Sequence, residues 1–262
     1  MTAFGVSDPN AEATPPRGFF GTIENGLGYL WTILLVNPLI VAATVVMGSI
    51  STGASFLDRS GRFQHGCARL WSRAILLVSG IRLQVEGLEN VESTGKYVFC
   101  VNHQSYMDIP VLLVSLPFQF RFVAKKELFK VPFVGWHLRR AGHFSVDRNN
   151  PHAAMRALGR SVGRIREGTP VVIFPEGRTS RDGNIGPFKV GAFAIAAKSK
   201  ANIVPVTIQG TRRTLLPGSF RVRGGAVKVT IWDAVPSNTM SHVEMATAVR
   251  DIVIARFEGD LS

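Results

Sequence analysis

Tyr97-Val98-Phe99-Cys100-Val101 runs directly into Asn102-His103-Gln104-Ser105-Tyr106-Met107-Asp108. An unbroken apolar run of this length reads as a strand buried on both faces, the pattern of a parallel sheet. Ser105 is a helix-start residue, and Asp108 leads into Ile109, Val111, Leu112 and Leu113. Strand, short polar loop and helix therefore follow in order. In α/β sheets of this kind, ligands bind outside the C-terminal ends of strands, and His103 stands at such an end.

The same alternation continues outward. Strand-like runs recur at Ile81–Glu86, 121–124, 171–174, 204–208 and 226–232, with helical patterns between them. The clearest helix is Pro151–Arg166, with Asn150 as N-cap, Pro151 in the first position and Gly168 past the end. Others are expected near 189–199 and over His242–Phe257. The pattern predicts an α/β fold over residues 80–262, with a mixed, largely parallel central sheet flanked by helices.

Upstream, residues 1–24 are polar and proline-containing and read as a flexible tail, and residues 25–79 as a membrane-associated helical segment. No formal charge occurs between Glu24 and Asp58, and residues 27–50 are mostly Leu, Ile, Val and Ala. The run exceeds the roughly 20 residues that cross a bilayer core. Asn37-Pro38 interrupts it, because proline removes a helical hydrogen bond. A kinked spanning helix and a broken pair dipping into one leaflet are both compatible. Arg59, Arg62, Arg69 and Arg73 then alternate with Phe63, Leu70, Trp71, Ile75 and Leu76, as in a basic interfacial helix. The positive flank lies C-terminal to the apolar run, which predicts a cytoplasmic face of the cell membrane for the main domain.

Thirty Lys and Arg against eighteen Asp and Glu leave a net charge of +12. Such a balance attracts polyanions: nucleic acid, anionic lipid or an acidic small substrate. No nucleic-acid-binding module pattern is present. Cys67 and Cys100 form no CxxC pair, and no cluster has metal-ligand spacing, so no metal is expected.

The chemistry-bearing residues gather at strand ends. A His in a loop and an Asp in the next helical turn can meet, the carboxylate fixing one ring nitrogen and leaving the other free as a base. Alone, such a pair is more often a capping or packing contact. His103 and Asp108 gain weight from Phe174-Pro-Glu-Gly-Arg-Thr-Ser180, which ends another buried strand. There Glu176 can accept a hydroxyl or brace a neighbour, and Arg178 can fork onto a phosphate. Lys125-Lys126-Glu127 and Asp147-Arg148 end two further strand-like stretches, so basic groups converge as in a phosphate pocket.

Four blocks together resemble the 1-acylglycerol-3-phosphate acyltransferase family of HxxxxD glycerolipid acyltransferases, over residues 80–235. They are Asn102-His-Gln-Ser-Tyr-Met-Asp108, then Lys125 through Gly135 to Ser145-Val-Asp-Arg148, then Phe174 to Ser180, then Ile203-Val-Pro-Val-Thr-Ile-Gln-Gly-Thr211. The resemblance implies acyl transfer from acyl-CoA or acyl carrier protein to the sn-2 hydroxyl of lysophosphatidic acid, with no cofactor beyond the thioester co-substrate. Another lyso-lipid or glycerol-3-phosphate is the alternative acceptor, and membrane phospholipid the setting. It implies His103 as general base and Asp108 as its orienting partner. Lys126, Arg148, Glu176, Gly177 and Arg178 are implied on the glycerol-phosphate side, and Pro205 on the acyl-donor side. The common third block reads Phe-Pro-Glu-Gly-Thr-Arg-Ser, whereas here Arg178 precedes Thr179.

Two rival readings exist. Gly159-Arg-Ser-Val-Gly163 fits the serine-hydrolase elbow, but it falls inside an expected helix instead of a strand–turn–helix corner. A basic membrane-surface lipid-binding protein without catalysis also fits the charge, but leaves His103, Glu176 and Arg178 at strand ends unexplained.

Overall fold

The computed structural model describes residues 28–58 and 60–257, so the expected tail over 1–24 and Arg59 lie outside the described residues. Seven strands form one sheet: β1 (Ile81–Glu86), β2 (Tyr97–Val101), β3 (Arg121–Lys125), β4 (Phe144–Val146), β5 (Val171–Ile173), β6 (Asn202–Gln209) and β7 (Gly225–Ile231). Their order is β1-β7-β6-β2-β5-β3-β4. Every neighbouring pair is parallel except β6 and β7. The last two strands at one edge thus run against the other five, and the sheet is mixed and largely parallel, as the strand pattern predicts.

The helices are α1 (Gly28–Ala54), α2 (Arg62–Val78), α3 (Asp108–Ser115), α4 (Val134–Arg140), α5 (Pro151–Arg166), α6 (Gly191–Ser199), α7 (Thr211–Thr214) and α8 (His242–Phe257). All five residues of β2 are buried. Phe99 and Val101 pack with Ile75, Leu76, Val111 and Leu112 of α2 and α3 on one face. Val98 and Cys100 pack with Ile165, Phe193, Ala196 and Val249 of α5, α6 and α8 on the other. Truncating Phe99 to alanine in such a two-faced core costs about 3–5 kcal/mol. Asn150 Oδ1 accepts the Ala153 N–H at 3.0 Å, so the N-cap read from the sequence is made.

Of the two readings left open at Asn37-Pro38, α1 takes the unbroken helix. A π turn over Thr32–Val36 precedes the proline, with the Asn37 N–H bonded back to Thr32 O. The extra residue in that turn makes room where the proline ring would meet the carbonyl four residues earlier. The helix therefore runs through.

α1 lies along the domain on a narrow seam of small and polar residues. Thr32 Oγ1 donates to Val222 O at 2.9 Å, and Asn37 Nδ2 to Phe220 O at 2.9 Å. Trp71 Nε1 donates to Thr44 Oγ1 at 2.9 Å. At Gly48 a Cβ would fall 2.8 Å from Phe133 Cβ, so only glycine allows this approach. Ser51 Oγ meets His137 Nδ1 at 2.7 Å. The opposite face exposes Leu30, Trp31, Leu34, Val41, Val45 and Ile50. In α2 the apolar residues divide: Ile75 and Leu76 are buried, whereas Phe63, Leu70 and Leu77 form an exposed stripe at seven-residue spacing. Apolar surface of this extent, left bare by the described residues, marks a membrane-associated segment.

Where the α1–α2 hairpin meets the sheet edge, three histidines surround Arg121. Its guanidinium is buried and donates to Phe120 O and Ser60 O, both at 3.0 Å. His143 Nδ1 accepts the Phe122 N–H at 2.8 Å. His65 packs edge-on to Phe120, with ring centroids 5.0 Å apart. His137 and His143 border an apolar cavity of about 110 Å³ that also touches Gly48, Trp71 and Phe133. Burial, and then the Arg121 charge, hold the His65 and His137 rings down at about 4.

Candidate active site

β2 and β5 are parallel neighbours, so their C-terminal ends lie side by side. Asn102 ends the β2 side of this edge as a structural bridge. Its amide donates to Ile208 O at 2.9 Å and accepts the Ile208 N–H at 2.7 Å, tying β2 to β6. His103 follows, and Asp108 opens α3. Asp108 is fully buried, and its Oδ2 receives His103 Nδ1 at 2.7 Å, Gln104 N–H at 2.8 Å and Ser105 N–H at 3.0 Å. A carboxylate in the first turn of a helix also gains from the helix dipole. Five residues of separation thus close into one hydrogen-bonded unit.

The ring of His103 is held by a stack on one face, by Asp108 at Nδ1 and by its backbone. It stacks on Phe174, with centroids 4.0 Å apart and planes 20° from parallel. Its backbone N–H donates to Glu176 Oε1 at 2.8 Å, and its carbonyl accepts the Ser180 N–H at 2.8 Å. Nε2 faces Thr179 Oγ1 at 3.2 Å. With Nδ1 committed to Asp108, Nε2 is the nitrogen available for proton transfer.

Of the two roles open to Glu176, the structure gives it the brace. Oε1 holds the His103 backbone and Oε2 accepts the Gly186 N–H at 3.0 Å. Burial pushes this carboxyl up, against the pull of the two N–H groups. Gly177 turns the loop at φ 74°, and a Cβ there would fall 2.8 Å from Lys189 Nζ. Lys189 was not singled out by sequence; no motif or spacing connects it to the third block. Arg178 is exposed and makes no hydrogen bond or ion pair among the described residues.

The remaining basic residues differ in their engagement. Lys126 Nζ is paired with Asp147 Oδ2 at 2.5 Å, which the parallel register of β3 and β4 brings about. Arg148 is half-buried with no hydrogen bond or ion pair among the described residues. Burial pushes its guanidinium down, while Glu127 and Tyr106, inside the His103 block, act in the opposite sense. A second residue absent from the sequence reading is Arg212. Its Nη1 and Nη2 donate to Ser180 O at 3.1 Å and Arg181 O at 2.6 Å, holding the third block from the end of β6. Its position just after Thr211, where the fourth block ends, was the available signal. Ser161 is buried within α5 and bonded to Leu158 O at 2.6 Å, so the elbow reading fails for lack of a strand–turn–helix corner.

A family profile described as Acyltransferase matches residues 82–209. A 1-acyl-sn-glycerol-3-phosphate acyltransferase of Chlamydomonas reinhardtii is 30% identical over 99% of this chain and 77% of its own length. The chain belongs to the 1-acyl-sn-glycerol-3-phosphate acyltransferase family. The chloroplastic family enzyme LPAT1 of Arabidopsis thaliana is 37% identical over 82% of this chain. Against that relative and the Brassica napus enzyme BAT2, the chain spans only 58% and 57% of their lengths. The crystal structure of the 1-acyl-sn-glycerophosphate (LPA) acyltransferase PlsC from Thermotoga maritima superposes with a TM-score of 0.74 at 28% identity. That match covers 91% of this chain and 96% of the other. The fold of this family member thus extends to the N-terminal hairpin, beyond the four blocks.

Proposed function

We propose that this family member transfers a fatty acyl group from acyl-CoA or acyl carrier protein to the sn-2 hydroxyl of 1-acylglycerol-3-phosphate, giving phosphatidic acid. The observation that carries the reading is the His103–Asp108 unit, with Nδ1 locked at 2.7 Å to a buried carboxylate and Nε2 turned to a hydroxyl. His103 Nε2 takes the proton from the acceptor hydroxyl as its oxygen attacks the thioester carbonyl. The C–S bond then breaks, and the imidazolium returns the proton to the departing thiolate. Asp108 keeps the ring in the tautomer that accepts at Nε2 and stabilises the imidazolium.

The acceptor phosphate is assigned to Arg178 and Arg148, two guanidinium groups of the second and third blocks that make no hydrogen bond or ion pair among the described residues, with Gly177 shaping the approach. Lys126 joins only by exchanging Asp147 for the phosphate. Glu176 serves this site by holding the backbone of His103. The hairpin is assigned to one leaflet, lying in its plane with the catalytic domain on the cytoplasmic face. The support is a helix docked on the domain along its length while its other face stays apolar and bare.

The test is an acyl-transfer assay with purified protein in mixed micelles, using lysophosphatidic acid and a panel of acyl-CoA and acyl carrier protein donors. Phosphatidic acid forms, and His103→Ala lowers the rate by about 10³-fold. Activity within tenfold of wild type in that variant removes the base from the mechanism; transfer only to another lyso-lipid or to glycerol-3-phosphate moves the acceptor assignment.

A further inference from the structure

The third block departs from its common form at the residue that touches the base. Where that form has arginine, this chain has Thr179, and its Oγ1 lies 3.2 Å from His103 Nε2. Thr179, His103 and Asp108 therefore stand in the order hydroxyl, imidazole, carboxylate, with contacts of 3.2 and 2.7 Å. This is the arrangement by which an adjacent base activates a side-chain nucleophile. The neighbouring hydroxyl is otherwise engaged: Ser180 Oγ donates to Asp182 Oδ1 and accepts the Gly183 N–H, both at 3.0 Å.

Neither partner of the contact is free to drift. The ring is held by Asp108, the Phe174 stack and two backbone bonds. The Thr179 backbone lies between the Gly177 N–H bond to Phe174 O and the Ser180 N–H bond to His103 O. Arg212 clamps the following carbonyls. On the acyl-transfer reading, the acceptor's hydroxyl and that of Thr179 compete for one nitrogen.

We propose that this protein has a second activity, acyl-thioester hydrolysis through an acyl ester on Thr179, expressed when no lyso-lipid occupies Nε2. The step rests on the acyl-transfer reading above, which supplies the thioester. Thr179 Oγ gives its proton to His103 Nε2 and attacks the carbonyl carbon. The C–S bond breaks, and the thiolate takes that proton and leaves as free thiol. A water then gives a proton to Nε2 and attacks the ester carbonyl. The bond to Oγ breaks, Oγ recovers the proton, and a free fatty acid departs. Thioester and water yield acid and thiol, with no other reactant.

The experiment incubates the full chain in detergent with palmitoyl-CoA and no acceptor. It follows thiol with a thiol-reactive dye, and fatty acid by chromatography. Acid-quenched samples go to peptide mass spectrometry. Wild type releases thiol and acid in equal amounts and carries an acyl group on the peptide containing Thr179. Lysophosphatidic acid suppresses the acid. Thr179→Val lowers acceptor-free release at least tenfold, while Thr179→Ser retains it; the two differ in the hydroxyl, so this pattern assigns it. Release by Thr179→Val at the wild-type rate overturns the proposal, because water then reacts at His103 directly. Equal loss in both variants overturns it too. Absence of release by wild type while phosphatidic acid forms overturns it and leaves the transfer reading standing. Absence of both reactions overturns both.

Discussion

His103 and the trio of His65, His137 and His143 both lie away from bulk water, but in surroundings of opposite sign. His103 has the Asp108 carboxylate on Nδ1 and a hydroxyl on Nε2. The trio has the buried Arg121 among its rings, and His137 Nδ1 meets the hydroxyl of Ser51. At the trio, burial disfavours the imidazolium and the Arg121 guanidinium reinforces that, so neutral rings fill a structural joint. On the proposed reading one residue type serves as a base at the β2 end and as packing at the hairpin junction, and the partner decides which.

The contrast breaks most completely at Asp108. Asp108→Asn keeps the shape but removes the charge and allows the wrong tautomer, and kcat falls on the order of 10³- to 10⁴-fold. Steady-state transfer assays on the folded variant check this. The trio has its own signature, in stability. His65 and His137 titrate at about 4 when folded and near 6.5 when unfolded, so between those values the unfolded chain binds more protons. The stability they confer is therefore complete above 6.5 and is lost as the pH falls toward 4, by roughly 2–3 kcal/mol for His65. Melting curves from pH 7 to 4.5 show the decline, and His65→Gln flattens it. The smallest effects sharpen the basic side of the site. Arg178→Ala raises the acceptor KM about tenfold and the donor KM less than about twofold. Lys126→Ala, which only frees Asp147 at an exposed pair, changes either by less than about threefold. Equal effects at Arg178 and Lys126 would erase the distinction between a vacant guanidinium and a paired ammonium.

The strands and long helices were legible because their signals are periodic and locally complete. Ile81–Glu86, Tyr97–Val101 and Pro151–Arg166 stand where the pattern places them. β4 was legible only as a strand-like stretch ending at Asp147, without bounds, because its three residues, Phe144–Val146, are too few to show a period. α4 was missed for a similar reason, a short helix directly after the turn around Phe133. At the site, His103 and Glu176 were legible as strand-end residues and Asp108 as a residue of the helical turn that follows. The choice of brace for Glu176, the pairing of Lys126 with Asp147 and the contact of Thr179 with Nε2 were not. Each depends on which way a loop side chain turns, and that is set by contacts distant in sequence, such as Arg212 on Ser180 and Arg181. Pro38 left a continuous and a broken helix both open for the opposite reason: the local rule was correct, but the π turn ahead of it, which absorbs the consequence, has no local signal.

The seam under α1 divides one helix into two kinds of residue with separate freedoms. Thr32, Thr44, Gly48 and Ser51 answer to fixed partners on the domain, so each is constrained to a size and a hydrogen-bonding group. Leu34, Val41 and Ile50 turn much of their surface away from the described residues. On the proposed membrane reading the outer half is an exchangeable coat: Leu, Ile, Val and Phe can trade places there to suit a thicker or more fluid bilayer without disturbing the seam beneath. The inner half is a keyed rail, and a single methyl group at Gly48 would lift the helix from it.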